Sequence, residues 1–150
     1  MNLIATDNVI AIIGLGKSGM SCARFLAAQG KSFFAMEENP SAQSVMQFKA
    51  EFPDHELITG ELEFDRLKHA ARLIVSPGIG LDKPALLQAK DAGIEIGCDI
   101  DIFAENTQRP IVAITGSNAK STVTSLVGEM VKNAGIPVGV GGNIGVPALS

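Results

Sequence analysis

From Val9 the chain runs through a continuous apolar stretch to Ile13 and then into Gly14, Gly16 and Gly19, spaced as G-x-G-x-x-G. An uninterrupted apolar run of this length is a strand covered on both faces, the environment of a parallel sheet sandwiched by helices. Met20, Ala23, Phe25, Leu26 and Ala27 follow at helical spacing as far as Gln29, and Gly30 stops them. A strand that turns through glycines directly into a helix restricts the chain to a βαβ beginning. In such a turn Gly14 permits the tight bend, Gly16 lets the backbone approach a diphosphate, and Gly19 lets the helix lie close on its strand.

The alternation continues. Ser32 to Met36 reads as a second strand ending at Glu37 and Glu38, followed by a helix over Ser41 to Glu51 that Pro53 closes. Leu57 to Thr59 reads as a short strand, Glu61 to Ala70 as a helix, and Arg72 to Val75 as another apolar strand broken by Ser76-Pro77-Gly78. Pro84 to Ala92 is predicted helical with proline in its first position and Gly93 after its end; Ile94 to Ile96 is the next strand and Asp99 to Glu105 the next helix. Strand and helix in strict succession predict an α/β fold, a doubly wound sheet in parallel order. Glu37 and Glu38 lie roughly the ~20 residues beyond the glycines at which such a fold places a carboxylate on a ribose. Two adjacent acids before Asn39-Pro40 are also what a solvated strand end looks like, and the residues alone leave both readings open.

A second glycine-bearing turn sits in Ile111 to Thr122, IVAITGSNAKST. It reads as a short β-branched strand entering a small-residue turn with Lys120, Ser121 and Thr122 at the start of a helix that runs to Ala134. A lysine and hydroxyls there stand beside the unpaired N–H groups of a first helical turn, which is chemistry for a polyphosphate. The usual pattern G-x-x-x-x-G-K-[ST] has glycines where this chain has Ile114 and Ala119. Spacing alone therefore leaves a nucleotide loop and a plain strand-to-helix turn both open. Pro137 to Val140 is predicted as a further strand. One strand, helix, strand unit has too few neighbours to bury the apolar face formed by Val123, Leu126, Val127, Met130 and Val131.

Bulk properties narrow the partners. The 150 residues are 46% hydrophobic with a formal charge of −4, so no basic footprint for nucleic acid or anionic lipid exists. Cys22 and Cys98 stand far apart without metal-ligand spacing and read as reduced thiols. The run from Val9 to Leu15 is too short to insert in a membrane and lacks a signal-peptide flank, so the expected location is cytoplasmic.

Taken together, GLGKSG, LIVSPGI, DAGIEI, PIVAITGSNAKSTVTSLVGEM and VGVGGNIGVPAL resemble the amino-terminal part of the Mur ligases, from about Val9 to Ser150. The resemblance implies a Rossmann-like UDP-binding domain over residues 1–98 and, over 99–150, the start of an ATP-binding domain, an incomplete P-loop-type α/β unit. Within the family it is to the members that join D-glutamate to UDP-N-acetylmuramoyl-L-alanine by ADP-forming amide synthesis in peptidoglycan precursor synthesis. It implies that Gly16, Lys17 and Ser18 approach the diphosphate, Glu37 takes an aspartate's place at the uracil, Gly78 lines the uridine, and Asn143 contacts the sugar nucleotide. Thr115, Gly116, Ser117, Asn118, Ala119, Lys120, Ser121 and Thr122 become the ATP loop. Lys120 bridges its phosphates as the catalytic cation and Ser121 faces Mg²⁺.

Three departures carry expectations of their own. Glu37, Glu38 and Asn39 replace an aspartate followed by polar and basic residues, and an extra negative charge beside a diphosphate weakens UDP binding. Ala119 replaces a glycine at a position where positive φ or a close approach to phosphate is common, a change costing of order 1 kcal/mol or more and expected to weaken ATP binding. The D-glutamate site, the remaining Mg²⁺ ligands and a modified lysine map beyond Ser150, so the chain is expected to be a truncated piece that does not ligate alone. Two other readings are an NAD(P)-dependent oxidoreductase, resting on GLGKSG and Glu37, and a noncatalytic nucleotide-binding module.

Overall fold

The computed structural model describes residues 8–150. Five parallel strands, β1 (Ile10–Ile13), β2 (Phe33–Glu37), β3 (Leu57–Thr59), β4 (Arg72–Val75) and β5 (Glu95–Gly97), form one sheet in the order β3-β2-β1-β4-β5. The chain leaves β1 toward β2 on one side and later returns to place β4 on the other. The carboxyl ends of β1 and β4 thereby border the crevice where ligands of open α/β sheets sit.

Side chains alternate across β1, and each face has its own core. Ile10 and Ile12 join Phe33, Ala35 and Ile74 beneath Met20, Cys22, Ala23 and Leu26 of α1 (Lys17–Ala28), Phe48 of α2 (Ala42–Glu51), and Ile102 of α5 (Asp99–Asn106). Ala11 and Ile13 join Met36, Leu73 and Val75 beneath Leu67 of α3 (Phe64–Leu67) and Ala85, Leu86 and Ala89 of α4 (Pro84–Asp91). Ser41 starts α2 by accepting the Ser44 N–H at 3.0 Å. Phe33 lies edge-on to Phe48 and Phe52 and stacks on His55 at 4.0 Å.

Arg72, at the start of β4, holds the far end of the sheet to α5. Its guanidinium donates twice to Glu105 at 2.8 Å and pairs with Glu95 at 2.9 Å, which raises its pKa and lowers that of Glu105. Cys22 is fully buried and its thiol is pushed up to about 12, chiefly by burial and next by the charge of Asp99.

Three expected elements differ. The helix over Glu61 to Ala70 is a single turn, Phe64–Leu67: of the segment's buried residues only Leu67 lies within it, and Leu62 and Ala70 anchor the irregular chain on either side before β4 begins at Arg72. No strand forms at Ile111 to Thr115, and none at Pro137 to Val140, where the chain makes only an isolated bridge farther on, Gly141 to Val146. A strand persists only when a neighbour takes up its N–H and C=O groups, and no described strand lies beside either segment. Of the second unit only α6 (Lys120–Asn133) is regular, and its Val123, Leu126 and Met130 are exposed, as are Ile111, Val112, Val138 and Val140. No described helix is long and apolar enough to cross a membrane.

Candidate functional site

The glycine turn stands at the carboxyl end of β1. Gly14 has φ +92°, the left-handed region that an L side chain strains to enter, and its N–H donates to the Met36 carbonyl at 2.8 Å. Gly16 is exposed, is the N-cap of α1, and has nothing within 4 Å of where a Cβ would stand, so the backbone is open to a ligand at this point. No side chain caps α1. Its first N–H groups, next to the exposed Lys17 and half-buried Ser18, therefore face outward with the positive end of the helix dipole. At Gly19 a Cβ would overlap the carbonyl oxygen of Gly14 and stand 3.2 Å from Ser76 Oγ. Gly14 thus makes the tight bend and Gly19 the close approach of helix to strand that their spacing suggested, while Gly16 leaves its backbone open.

Two segments brace this turn. From β2, Glu37 accepts the Leu15 N–H at 2.7 Å and the Asn39 N–H at 3.2 Å, tying its own strand end to the glycine turn. Each carboxylate oxygen keeps a second lone pair, so a ligand donor can still be accepted. From the β4 side, Ser76 Oγ donates to the Gly14 carbonyl at 3.1 Å, and Gly78 beyond it is exposed with open space at its α-carbon. The structure therefore brings Gly16, Lys17, Ser18, Glu37 and Gly78 to the carboxyl ends of the adjacent strands β1, β2 and β4.

Sequence reasoning missed the partner of Glu38. Its carboxylate pairs with Lys83 Nζ at 2.7 Å and accepts the Leu62 N–H at 3.4 Å. A signal was available: Lys83 is the N-cap of α4, where a cation opposes the helix dipole unless an anion compensates it.

The second turn is open along its length. Thr115, Gly116, Ser117, Asn118, Ala119, Lys120, Ser121 and Thr122 are exposed except for nothing more than their own local bonds: Lys120 Nζ donates to the Gly116 carbonyl, and Thr124 Oγ1 donates to the Lys120 carbonyl at 2.7 Å. No side chain caps α6, leaving its first N–H groups beside Lys120, Ser121 and Thr122. Ala119 has φ 57° and ψ 10°, and it is the one non-glycine residue with positive φ among the described residues. The left-handed conformation costs an alanine about 1 kcal/mol. Ala119→Gly is therefore expected to stabilise the turn by about that amount and to raise affinity for ATP. Parallel ATP titrations of the two chains check this, and equal affinities would exclude a role for the strain in nucleotide binding.

Asn143 is exposed in the loop that the Gly141 to Val146 bridge closes. Among the described residues no hydrogen bond joins it, or the turn at 115–122, to the glycine turn. The chain after it does return to the first unit, where Leu149 packs on the α1 core and Ser150 Oγ lies 3.1 Å from Ser21 Oγ.

Known proteins share this fold. The model of the Mur ligase MurD-like N-terminal domain matches residues 8–98. UDP-N-acetylmuramoylalanine–D-glutamate ligase from Pseudomonas aeruginosa is 50% identical over 99% of this chain, and that from Pseudomonas fluorescens 49% identical over 99%. The chain spans about a third of the length of these curated relatives, 33% in each case. Among solved structures, a UDP-N-acetylmuramate:L-alanyl-gamma-D-glutamyl-meso-diaminopimelate ligase from Neisseria meningitides superposes with a TM-score of 0.57 at 16% identity, covering 93% of this chain and 45% of that one. UDP-N-acetylmuramate-alanine ligase from Thermotoga maritima gives 0.54 at 17% identity, covering 83% and 29%. At such identities they speak for the fold. With the family model matched through every strand of the sheet, the chain belongs to the Mur ligase MurD-like N-terminal domain family.

Proposed function

We propose that this chain supplies the UDP-binding domain, and the opening of the ATP-binding domain, of a ligase that adds D-glutamate to UDP-N-acetylmuramoyl-L-alanine with release of ADP, in the cytoplasm. The observation that carries the reading is the exposed, unobstructed backbone at Gly16 beside the uncapped start of α1, at the crevice edge of the sheet. An anionic diphosphate is the ligand this geometry favours. The names of the relatives, matched along nearly the whole chain, support a UDP-linked substrate rather than a dinucleotide as the source of that diphosphate.

In this reading Gly16, Lys17 and Ser18 bind the diphosphate, Glu37 accepts from the uracil while bracing the turn, Gly78 lines the uridine, and Asn143 reaches the sugar nucleotide. The division falls near 98/99, with α5 acting as a tether that stays packed on the first unit through Ile102 and Arg72.

ATP supplies the phosphoryl group for activating the substrate carboxylate. The turn at 115–122 fits a polyphosphate: it offers the free N–H groups of α6, the hydroxyls of Ser121 and Thr122, and the Lys120 ammonium, which would leave the Gly116 carbonyl for phosphate. For Mg²⁺ Ser121 offers a single oxygen, and the rest of the shell falls to phosphates, water and carboxylates outside this turn. D-glutamate binding and ligation need residues beyond these.

Calorimetric titration of the 150-residue chain with UDP-N-acetylmuramoyl-L-alanine and separately with NADH tests the proposal. Heat of binding is expected for the first and not the second, and the reverse would favour an oxidoreductase. The same chain incubated with ATP, Mg²⁺ and both substrates is expected to release no ADP, and release dependent on both substrates would overturn the assignment of ligation to a larger assembly.

A further inference from the structure

Two acids in succession at the end of β2 are an awkward neighbour for an anionic ligand, yet the structure treats them differently. Glu37 turns toward the glycine turn through Leu15. Glu38 turns to the opposite side, where Lys83 Nζ meets it at 2.7 Å and the Leu62 N–H at 3.4 Å. Both side chains of the ion pair are partly buried, at 35% exposure for Lys83 and 21% for Glu38. Screening there is weaker than at an open surface.

The positions of the partners matter as much as the bond. Glu38 follows β2 and Lys83 ends the connection from β4 to α4, so the pair joins the chain segments on either side of β1 at its carboxyl end. The same β4 to α4 connection carries Ser76, which holds the Gly14 carbonyl, and Gly78. Lys83 stands at a helix N-cap without a helix carboxylate in the first turn to compensate it, so Glu38 is the charge that makes its position tolerable.

The geometry points to Lys83 as a positioning residue of the nucleotide site: it neutralises Glu38 and ties the β2 end to the β4–α4 connection, so that the site accepts a diphosphate despite the paired acids. The inference rests on the reading of this crevice as a UDP site, and it assigns Lys83 a role through Glu38 rather than contact with the ligand.

Removing the cation leaves Glu38 as a bare negative charge near the site, which opposes UDP far more than uncharged uridine. Titration of the full chain with UDP and with uridine, for wild type, Lys83→Ala, Lys83→Arg and the double variant Glu38→Gln/Lys83→Ala, separates the contributions. UDP affinity is expected to fall roughly tenfold in Lys83→Ala, to stay near wild type in Lys83→Arg, and to recover in the double variant, with uridine affinity changed about twofold at most. Unchanged UDP affinity in Lys83→Ala would overturn the inference. So would an equal loss of UDP and uridine, which indicates a merely structural bond, or a failure of the double variant to recover. Lack of UDP binding by the wild type would instead overturn the UDP reading itself, and the inference with it. Thermal melts of all four chains accompany the titrations, and an unfolded Lys83→Ala beside a folded double variant would show the same uncompensated charge at work.

Discussion

Gly19→Ala is expected to destabilise the chain by about 3 kcal/mol and to abolish UDP binding. The added methyl group would not meet a flexible side chain. It would overlap the Gly14 carbonyl oxygen, with the Gly14 carbonyl carbon at 3.0 Å and Ser76 Oγ at 3.2 Å behind it. Gly14 cannot retreat, because its N–H is held by Met36 and its carbonyl accepts from Ser76. Relief therefore requires α1 to lift from β1, pulling Met20, Cys22, Ala23 and Leu26 out of register with the core beneath them. The same movement displaces the N-terminal N–H groups of α1 from the proposed diphosphate position. Urea denaturation and UDP calorimetry on the variant check both parts; a midpoint and affinity matching wild type would mean that the helix has slack the packing does not suggest.

Glu37→Ala is expected to cost about 1–3 kcal/mol of stability and at least roughly tenfold in UDP affinity. The carboxylate accepts from the Leu15 and Asn39 N–H groups at once, and Leu15 is itself buried, so its amide would lose its acceptor in a place water reaches poorly. Glu37→Gln keeps one acceptor oxygen and should retain part of the loss, since a neutral amide forms the weaker bond. A stepwise fall from wild type through Gln to Ala, measured by denaturation and by UDP titration, is the expected pattern. Stability and affinity of Glu37→Ala equal to wild type would show that the brace is incidental.

The elements most readily legible in the chain were those decided by local chemistry. The apolar run into G-x-G-x-x-G could be read as a buried strand turning into a helix because Gly14 and Gly19 are required by backbone geometry and close approach, which depend little on distant residues. Ala119 belongs to the same class: of the two reasons for a glycine before Lys120, positive φ and close approach to phosphate, the backbone adopts the first, at φ 57°. Ser41 and Pro84 marked their helices by the same local rules.

The misses have a common physical origin. Ile111 to Thr115 and Pro137 to Val140 carry strand-like composition, but a strand is a relation between chains of hydrogen bonds, and composition does not supply the neighbour. The segment after Gly60 has helical residues over more than one turn, yet the distance to β4 and the burial of Leu62 and Leu67 leave room for only Phe64–Leu67.

The sequence by itself determined that the chain builds a parallel α/β sheet and where its two glycine-bearing turns lie, because periodicity, glycine and proline act within a few residues of where they stand. Only the tertiary structure decided that Glu37 braces the glycine turn, that Lys83 compensates Glu38 and that Arg72 binds α5 to the sheet. Those pairings join residues far apart in the chain, at distances of 2.7 to 2.9 Å, and nothing in a one-dimensional spacing carries the direction in which a carboxylate turns.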